Sequence, residues 1–449
     1  MPQKAYVVGV GMTAFEKPRG RVDYPELAVE AGTKALIDAG ITYDEVQSAY
    51  AGYCYGDSTC GQRALYGLGM TSIPIFNVNN NCSTGSSAFL LATQAVQHGM
   101  VECSMAIGFE KMAAGSLSAT FEDRTNPLEK TIELMGDVVG ISAGPFAAQI
   151  FGNGGQEYCE KYGATWEHIG KIAAKSHKHS TKNPYSQFQN NMTLDQVMKD
   201  KPVTEQLTRG MCCPTSDGGA CAIVTSEAFV KKHNLQNQAI EIAASVMATD
   251  SPRLFDDRSC IELAGSDMTR RAAQEAYKIA GVGPEDISVI ELHDCFAANE
   301  LLVYDGLGLC KPGEAHKIVE NDDNTYGGKW VINPSGGLLS KGHPLGATGL
   351  GMIFYLTNQL RGWGGDMQVP EVVPGKSGRE AYCLAHNLGL GGAAVVTILK
   401  RPASYKVGGK DGRDRMGYNH GAECRPVTQQ DIDRAKSQKS YSPYARANL

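Results

Sequence analysis

ALIDAGITYDEVQSAYAG (35–52) and EAYKIAGVGPEDISVIEL (275–292) follow one pattern. Each ends an amphipathic helix, passes a glycine, sets acids before an aliphatic position and enters a strand. Gly40 matches Gly281, and Asp44-Glu45-Val46 matches Glu285-Asp286-Ile287. Later, DGGACAIVT (217–225) resembles LGGAAVVT (390–397): two glycines, then a short β-branched strand. Between these markers, PIFNVNNNCSTGSSAF (74–89) and SVIELHDCFAANEL (288–301) hold the same place. Each is an apolar strand, a polar turn with a cysteine, then a helix. Three markers recurring in one order predict a duplicated α/β chain, its sheets covered by helices.

The halves are unequal. Residues 1–114 with 211–235 form the expected N-terminal half, and 236–401 the C-terminal half. An insertion of different character, 115–210, interrupts the first. Its helical part, GGQEYCEKYGATWEHIGKIAAKSHKHS, turns basic toward its end. Lys171, Lys175, His177, Lys178, His179 and Lys182 suit either a solvated helix face or a phosphorylated ligand. The tail, 402–449, is polar and poor in aliphatics, which predicts an extended or disordered arm.

Bulk numbers narrow the class. The 449 residues include 52 glycines and 42% hydrophobic residues, as in a tightly turned α/β protein. A formal charge of −6 offers no broad basic face for nucleic acid. No apolar run reaches the roughly 18 residues of a membrane helix. MPQKAYVVGVGMTAF has neither a signal peptide's apolar core nor an Arg-rich transit helix. Thirteen cysteines without a secretion signal read as reduced thiols. None has zinc spacing, and the adjacent pair Cys212–Cys213 suits a metal poorly.

Two cysteines and two histidines carry the chemistry. Cys82, in NNNCSTGSSAFLLATQAV, precedes a helix whose N-terminal N–H groups are expected to lower the thiol pKa. Small neighbours leave room for an acyl group. In NPSGGLLSKGHPLGATG (333–349), Gly342-His343-Pro344 holds a histidine in a rigid turn before a helix. Such an imidazole activates a thiol or donates to an oxyanion. HDCF (293–296) sets His293 and Cys295 where a strand hands over to a helix. The turn after AHNLGLGG (385–392) aims backbone N–H groups at the same cavity.

The series NxNNNCSTGSSA, SDGGACAIV, HDCF, NPSGGLLSKGHPLGATG and HNLGLGGA resembles a thiolase over roughly residues 4–400. More narrowly, it is similar to the sterol carrier protein 2 type. The resemblance implies two repeated five-stranded halves in an α-β-α-β-α stack, an inserted loop domain, and a homodimer or homotetramer. Cys82 matches the nucleophile and His343 the GHP histidine. Conventional thiolases have Asn-Glu-Ala-Phe where this chain has His293-Asp294-Cys295-Phe296. They also carry a second catalytic cysteine in a C-x-G motif, where this chain has His386 and Leu388, followed by Gly389. The resemblance to the sterol carrier protein 2 type implies that Cys295 supplies the second thiol. Cys383, three residues off the matching position, is the lesser candidate. Asp294 reads as a structural hydrogen-bond acceptor.

The implied reaction is thiolytic cleavage of a 3-oxoacyl-CoA to acetyl-CoA or propionyl-CoA and a shortened acyl-CoA. Cys82 carries the acyl group. His343 helps deprotonate it, and His343 and His293 stabilise the enolate. Cys295 moves the carbon-bound proton. The backbone around Cys82 and 388–391 makes a second oxyanion hole. Coenzyme A enters as substrate, with no bound cofactor and no metal. Phe296, Met268 and Thr269 match the pantetheine side, although Thr269 also reads as an ordinary helix N-cap. Two alternatives stay open, a biosynthetic acetoacetyl-CoA thiolase and a non-catalytic acyl-CoA-binding scaffold; Cys295 and the GHPLGATG run argue against a ketosynthase or hydroxymethylglutaryl-CoA synthase. The ending Ala445-Arg446-Ala447-Asn448-Leu449 reads as a variant of the Ser-Lys-Leu peroxisomal address and implies an import receptor; otherwise the chain is expected in the cytoplasm. Residues do not set the acyl chain length or branching preference.

Overall fold

The computed structural model describes residues 2–18, 22–113, 121, 123–375 and 380–447. The start of the insertion and the last two residues of the address-like ending lie outside them. Ten strands form the framework: β1 (Ala5–Met12), β2 (Ser48–Gly52), β3 (Ile75–Val78), β4 (Cys103–Glu110), β5 (Gly218–Ser226), β6 (Ile240–Ala248), β7 (Ile287–Glu291), β8 (Val331–Ile332), β9 (Tyr382–Gly389) and β10 (Ala393–Lys400). Their order is β3-β2-β4-β5-β1-β6-β10-β9-β7-β8. Each strand of the first half has its counterpart five places later, so the order 3-2-4-5-1 is repeated as 8-7-9-10-6. Pairing repeats too. β2 runs parallel to β3 and β4, as β7 does to β8 and β9. β5 lies antiparallel to β4 and β1, as β10 does to β9 and β6. The halves meet where Tyr6 pairs with Glu241 and Val7 with Ile240.

The two segments that open the sequence argument end in matching geometry. Helices α1 (Tyr24–Ala39) and α5 (Ser266–Ala280) stop at Gly40 and Gly281, both left-handed with φ of 70° and 69°. A 3-10 turn follows each, then β2 or β7. Between them in the chain come α2 (Thr84–Gln97) and, in the insertion, α3 (Phe146–Tyr162) and α4 (Trp166–Ser180). After α5 come α6 (Ala297–Gly306) and α7 (Leu345–Arg361). α2 and α7 touch each other and strands of both halves, so they form the middle layer; α1 covers β1 and β5, and α5 covers β6 and β10. Every residue of α7 is buried, as a helix enclosed on all sides requires. This is the expected α-β-α-β-α arrangement.

Two expectations need correcting. Half of the basic residues at the end of the insertion are interior. Lys175 forms a buried ion pair with Glu300, His177 Nε2 meets the Gly210 carbonyl at 3.0 Å, and His179 Nδ1 meets that of Asn333 at 2.9 Å. Lys171, Lys178 and Lys182 alone of the six reach the surface. The tail is ordered through residue 447 and carries α8 (Gly412–Met416) and α9 (Gln429–Ala435), both packed on α1. Its anchors are mainly polar, which is why composition concealed them. Arg415 Nε donates to the Ile37 carbonyl at 3.1 Å, and Ser437 Oγ to Asp44 Oδ1 at 2.5 Å. His420 is fully buried beside Asp38, its Nε2 3.6 Å from Oδ2.

Asp38 is the hub of this clasp. Its Oδ2 accepts from Val10 N and from Arg361 Nη1, both at 2.8 Å. Burial alone would raise its carboxyl, but Arg361 and then His420 override that and hold it well below the ordinary 3.8. A depressed carboxyl contributes stability that is present above its unfolded pKa and withdrawn as pH falls through the folded one. Stability is therefore expected to decline in acid below about pH 4. Arg361→Met strands the Asp38 charge and is expected to cost about 3–5 kcal/mol, read from urea unfolding at neutral pH. An unchanged midpoint would show that Asp38 does not need its partner.

Candidate active site

Cys82 sits two residues before α2, at the end of the NNN turn. Asn81 bends the chain with φ of 51°, and Asn80 N donates to Thr84 Oγ1 at 2.8 Å, closing the turn. The Gly-rich turn after β9 lies directly against it. Asn81 Nδ2 donates to the Leu390 carbonyl at 3.1 Å, and a Cβ at Gly389 would fall 2.2 Å from the Asn80 carbonyl oxygen. No residue but glycine fits that approach.

His343 stands two residues before α7 and faces the same space. Its main-chain N–H donates to Ser216 Oγ at 3.0 Å. Its Nδ1 lies 2.7 Å from Thr348 Oγ1, and that hydroxyl donates to the Pro344 carbonyl at 3.0 Å. One hydroxyl has one proton to give, so Thr348 accepts from Nδ1–H, and Nε2 carries the lone pair. That Nε2 is buried without a partner among the described residues. His293 is fixed in the other sense. Asn387 Nδ2 lies 2.9 Å from His293 Nδ1, while Asn387 Oδ1 accepts from Ser86 Oγ at 3.0 Å. With Nδ1 accepting, the proton rests on His293 Nε2. The two imidazoles meet edge to face, with centroids 5.1 Å apart.

Cys82 Sγ and one ring nitrogen from each of His293 and His343 lie within 4.8 Å of one another. A thiol, an imidazole base and an imidazole donor thus converge on one another. Electrostatics set the resting state. The Cys82 thiol is pushed up to about 12, by burial first and then by Glu110. This corrects the expected lowering: removal from water outweighs the helix terminus. Burial, then Lys341, lowers His343 to about 3. Burial, then His343 and His386, also lowers His293. The resting pair is a neutral thiol beside a neutral base.

Cys295 follows on the HDCF turn. Its thiol is buried and pushed up by burial, then by Cys213, Cys82 and Asp294. Cys213 N donates to the Cys295 carbonyl at 2.8 Å. Asp294 Oδ1 accepts from Leu338 N at 2.6 Å, the structural role read for it, and pins HDCF to the loop ahead of His343. Cys383 stands four residues down β9 from Asn387, about 13 Å away along an extended strand.

Other expected residues lie apart. β9 alternates, so Asn387 and Gly389 face α2 and the Cys82 turn, while His386 and Leu388 face α5. His386 Nε2 lies 3.0 Å from Thr269 Oγ1, and the Leu388 side chain packs beside Gly265. The His386 and Leu388 side chains therefore do not join the converging group. Thr269 lies inside α5, whose N-cap is Gly265, so the capping reading does not hold. Met268 is buried beside it. Phe296 stacks on Phe151 of α3 with centroids 5.3 Å apart, bringing the insertion to the edge of the site.

Sequence reading missed Asn387, Thr348, Cys54 and Glu110. Cys54 Sγ donates to the Asn81 carbonyl at 3.0 Å, directly behind the nucleophile turn. Thr348→Val keeps the shape but removes the His343 anchor. It is expected to slow alkylation of Cys82 by iodoacetamide at neutral pH about tenfold. A native alkylation rate would mean that the hydroxyl does not orient the ring.

Comparison with known proteins agrees with this geometry. Residues 5–228 match the model of the thiolase N-terminal domain, and residues 257–401 match that of the thiolase C-terminal domain-like family. Sterol carrier protein 2 of Gallus gallus is 56% identical over 400 residues, which span 89% of this chain and 72% of that protein. Two solved structures share the fold, each covering 89% of this chain and 98% of the other. They are an Ltp2-ChsH2(DUF35) aldolase, with TM-score 0.72 and 24% identity, and human mitochondrial 3-ketoacyl-CoA thiolase in complex with CoA, with 0.63 and 20%. With both domain models matched in order over the duplicated halves, the chain belongs to the thiolase family.

Proposed function

We propose that the chain cleaves 3-oxoacyl-CoA with coenzyme A, through an acyl group carried on Cys82. The observation that carries the reading is the convergence of the Cys82 thiol with one ring nitrogen each of His343 and His293, together with a His343 Nε2 that has no partner among the described residues. Cys82 Sγ attacks the 3-keto carbon as its proton passes to His343 Nε2. The bond between C2 and C3 breaks, and its electron pair becomes the enolate of acetyl-CoA or propionyl-CoA. His293 Nε2–H and the protonated His343 donate to the enolate oxygen. Cys295 gives its proton to C2, and the released product leaves the shortened acyl chain as a thioester on Cys82. The Cys295 thiolate then takes the proton of incoming coenzyme A, whose sulfur displaces Cys82, and the departing Cys82 thiolate recovers its proton from His343 Nε2. The Cys82 N–H and the 388–391 turn stabilise the tetrahedral oxyanion; one such donor is worth about a hundred- to a thousandfold in rate.

Of the residues read for the pantetheine side, Phe296, next to Cys295, is the one kept in the proposal. Steady-state cleavage of straight-chain and 2-methyl 3-oxoacyl-CoAs tests the reading and ranks the substrates. Net condensation of acetyl-CoA alone would favour the biosynthetic direction. Failure to cleave any of them or to become acylated would favour a non-catalytic scaffold.

A second copy of the chain is the proposed partner at β3. This edge strand pairs only with β2 among the described residues, and Phe76 on it is 49% exposed. An open edge with an exposed aromatic invites strand pairing. Light scattering should give at least twice the chain mass, and Phe76→Asp should reduce it to one; a monomeric native chain rejects the pairing. The proposed site of action is the peroxisome. A fluorescent fusion should lose punctate localisation when the last three residues are removed.

A further inference from the structure

Glu110 ends β4 behind the nucleophile, wholly buried. Among the described residues its partners are three backbone N–H groups and no cation. Oε2 accepts from Gly346 N at 2.8 Å and from Cys54 N at 3.2 Å; Oε1 accepts from Tyr55 N at 3.1 Å. A buried carboxylate without a counter-ion is costly. Burial pushes this one up to about 7 against the pull of those amides. What the cost secures is a joint. Gly346 N–H belongs to the first turn of α7, three residues after His343, and α7 has no side-chain cap of its own. Glu110 takes that place from another strand, where a helix N-terminus favours an anion. The other two amides belong to the Cys54–Tyr55 turn. Cys54 Sγ also meets Thr84 Oγ1 at 3.2 Å, so this turn backs the Cys82 turn at two points. The joint is tight: a Cβ at Gly108, two residues before Glu110, would lie 1.9 Å from the Gly346 carbonyl oxygen.

We propose that Glu110 is a positioning residue for acylation: its carboxylate ties the turn behind Cys82 to the helix start that carries His343. It thereby sets the gap across which the Cys82 proton passes to His343 Nε2. The inference rests on the cleavage reading above, and one arm of its test needs no turnover. The titratable groups around Cys82 are His343, His293, Cys54, Tyr55, Cys213, Cys295 and Glu110 itself.

Glu110→Asp keeps the charge but draws it back by one methylene, out of reach of all three amides together. Glu110→Gln removes the charge but keeps an amide oxygen where Oε2 joins Gly346 to Cys54. Two readouts apply to each folded variant: kcat and KM for cleavage, and the neutral-pH rate of Cys82 alkylation by iodoacetamide, followed on the Cys82 peptide by mass spectrometry. Glu110→Asp is expected to lose about ten- to a hundredfold in kcat with KM within about twofold. Its Cys82 should alkylate about tenfold more slowly, because the base is displaced. Glu110→Gln is expected to stay within about fivefold of native kcat and to alkylate at least as fast as the native chain. Native kcat and alkylation in Glu110→Asp would overturn the proposal, as would a larger kcat loss in Glu110→Gln than in Glu110→Asp. A native chain without any cleavage activity would reject the reaction but leave the alkylation comparison to judge the joint.

Discussion

Cys82→Ala is expected to lose acyl transfer by about 10⁴-fold or more and to take no acyl label from a 3-oxoacyl-CoA. The size follows from the bond that is lost. Cys82 is the one cysteine among the described residues whose sulfur groups with ring nitrogens of both His293 and His343. Cys54 is turned to the Asn81 carbonyl and Thr84, and Cys383 lies down the β9 strand. The variant should fold normally: the Cys82 turn keeps the Asn80–Thr84 and Asn81–Leu390 bonds and loses only the long thiol contact to Asn81 Oδ1, 3.6 Å. Circular dichroism and a thermal midpoint check that. Residual turnover near one part in a hundred would mean that a second nucleophile operates.

Cys295→Ala separates the two half-reactions. Cys82 and His343 remain, so attack on the 3-keto carbon and acyl transfer to Cys82 proceed once. The variant has lost the thiol that protonates the departing enolate carbon and later deprotonates coenzyme A. Turnover is expected to fall about a hundred- to ten-thousandfold, the usual worth of a positioned acid–base group. A single acyl label should still accumulate. The His293 ring is anchored through Asn387 rather than through Cys295, so the donor to the enolate stays in place. Near-native thiolysis in this variant would withdraw the second-thiol role.

The sequence made the duplication legible because its markers are local: a glycine ending a helix, acids at a 3-10 turn, a β-branched strand after paired glycines. Cys82, His293 and His343 could be placed for the same reason, since each stands at a strand-to-helix handover that the fold repeats. What escaped depends on distance in the chain. Asn387 orients His293 across 94 residues, and Glu110 bonds Gly346 across 236. Strand alternation was the available signal for Asn387. In HNLG it selects one face, so a histidine at 386 implies that its neighbour points the other way. Thr348 stood five residues from His343 in plain view, but only the first turn of α7 brings its hydroxyl under the ring. The Cys82 acidity was misjudged because a helix terminus is visible in sequence, whereas full burial beside Glu110 is not. The tail misled through composition. It is held by Arg415, His420 and Ser437 and by two small apolar anchors, Ile432 and Ala435, rather than by an aliphatic stripe.

The central claim is that one sulfur becomes the acyl carrier because His343 Nε2 takes its proton at the point where His293 donates. Peptide mass spectrometry of the Cys295→Ala chain, mixed with a 3-oxoacyl-CoA and no free coenzyme A, tests it most directly. The account predicts one shortened acyl group per chain, on the Cys82 peptide, and its disappearance when His343→Ala is added. An acyl group on any other cysteine, or none at all in a folded chain, would contradict it.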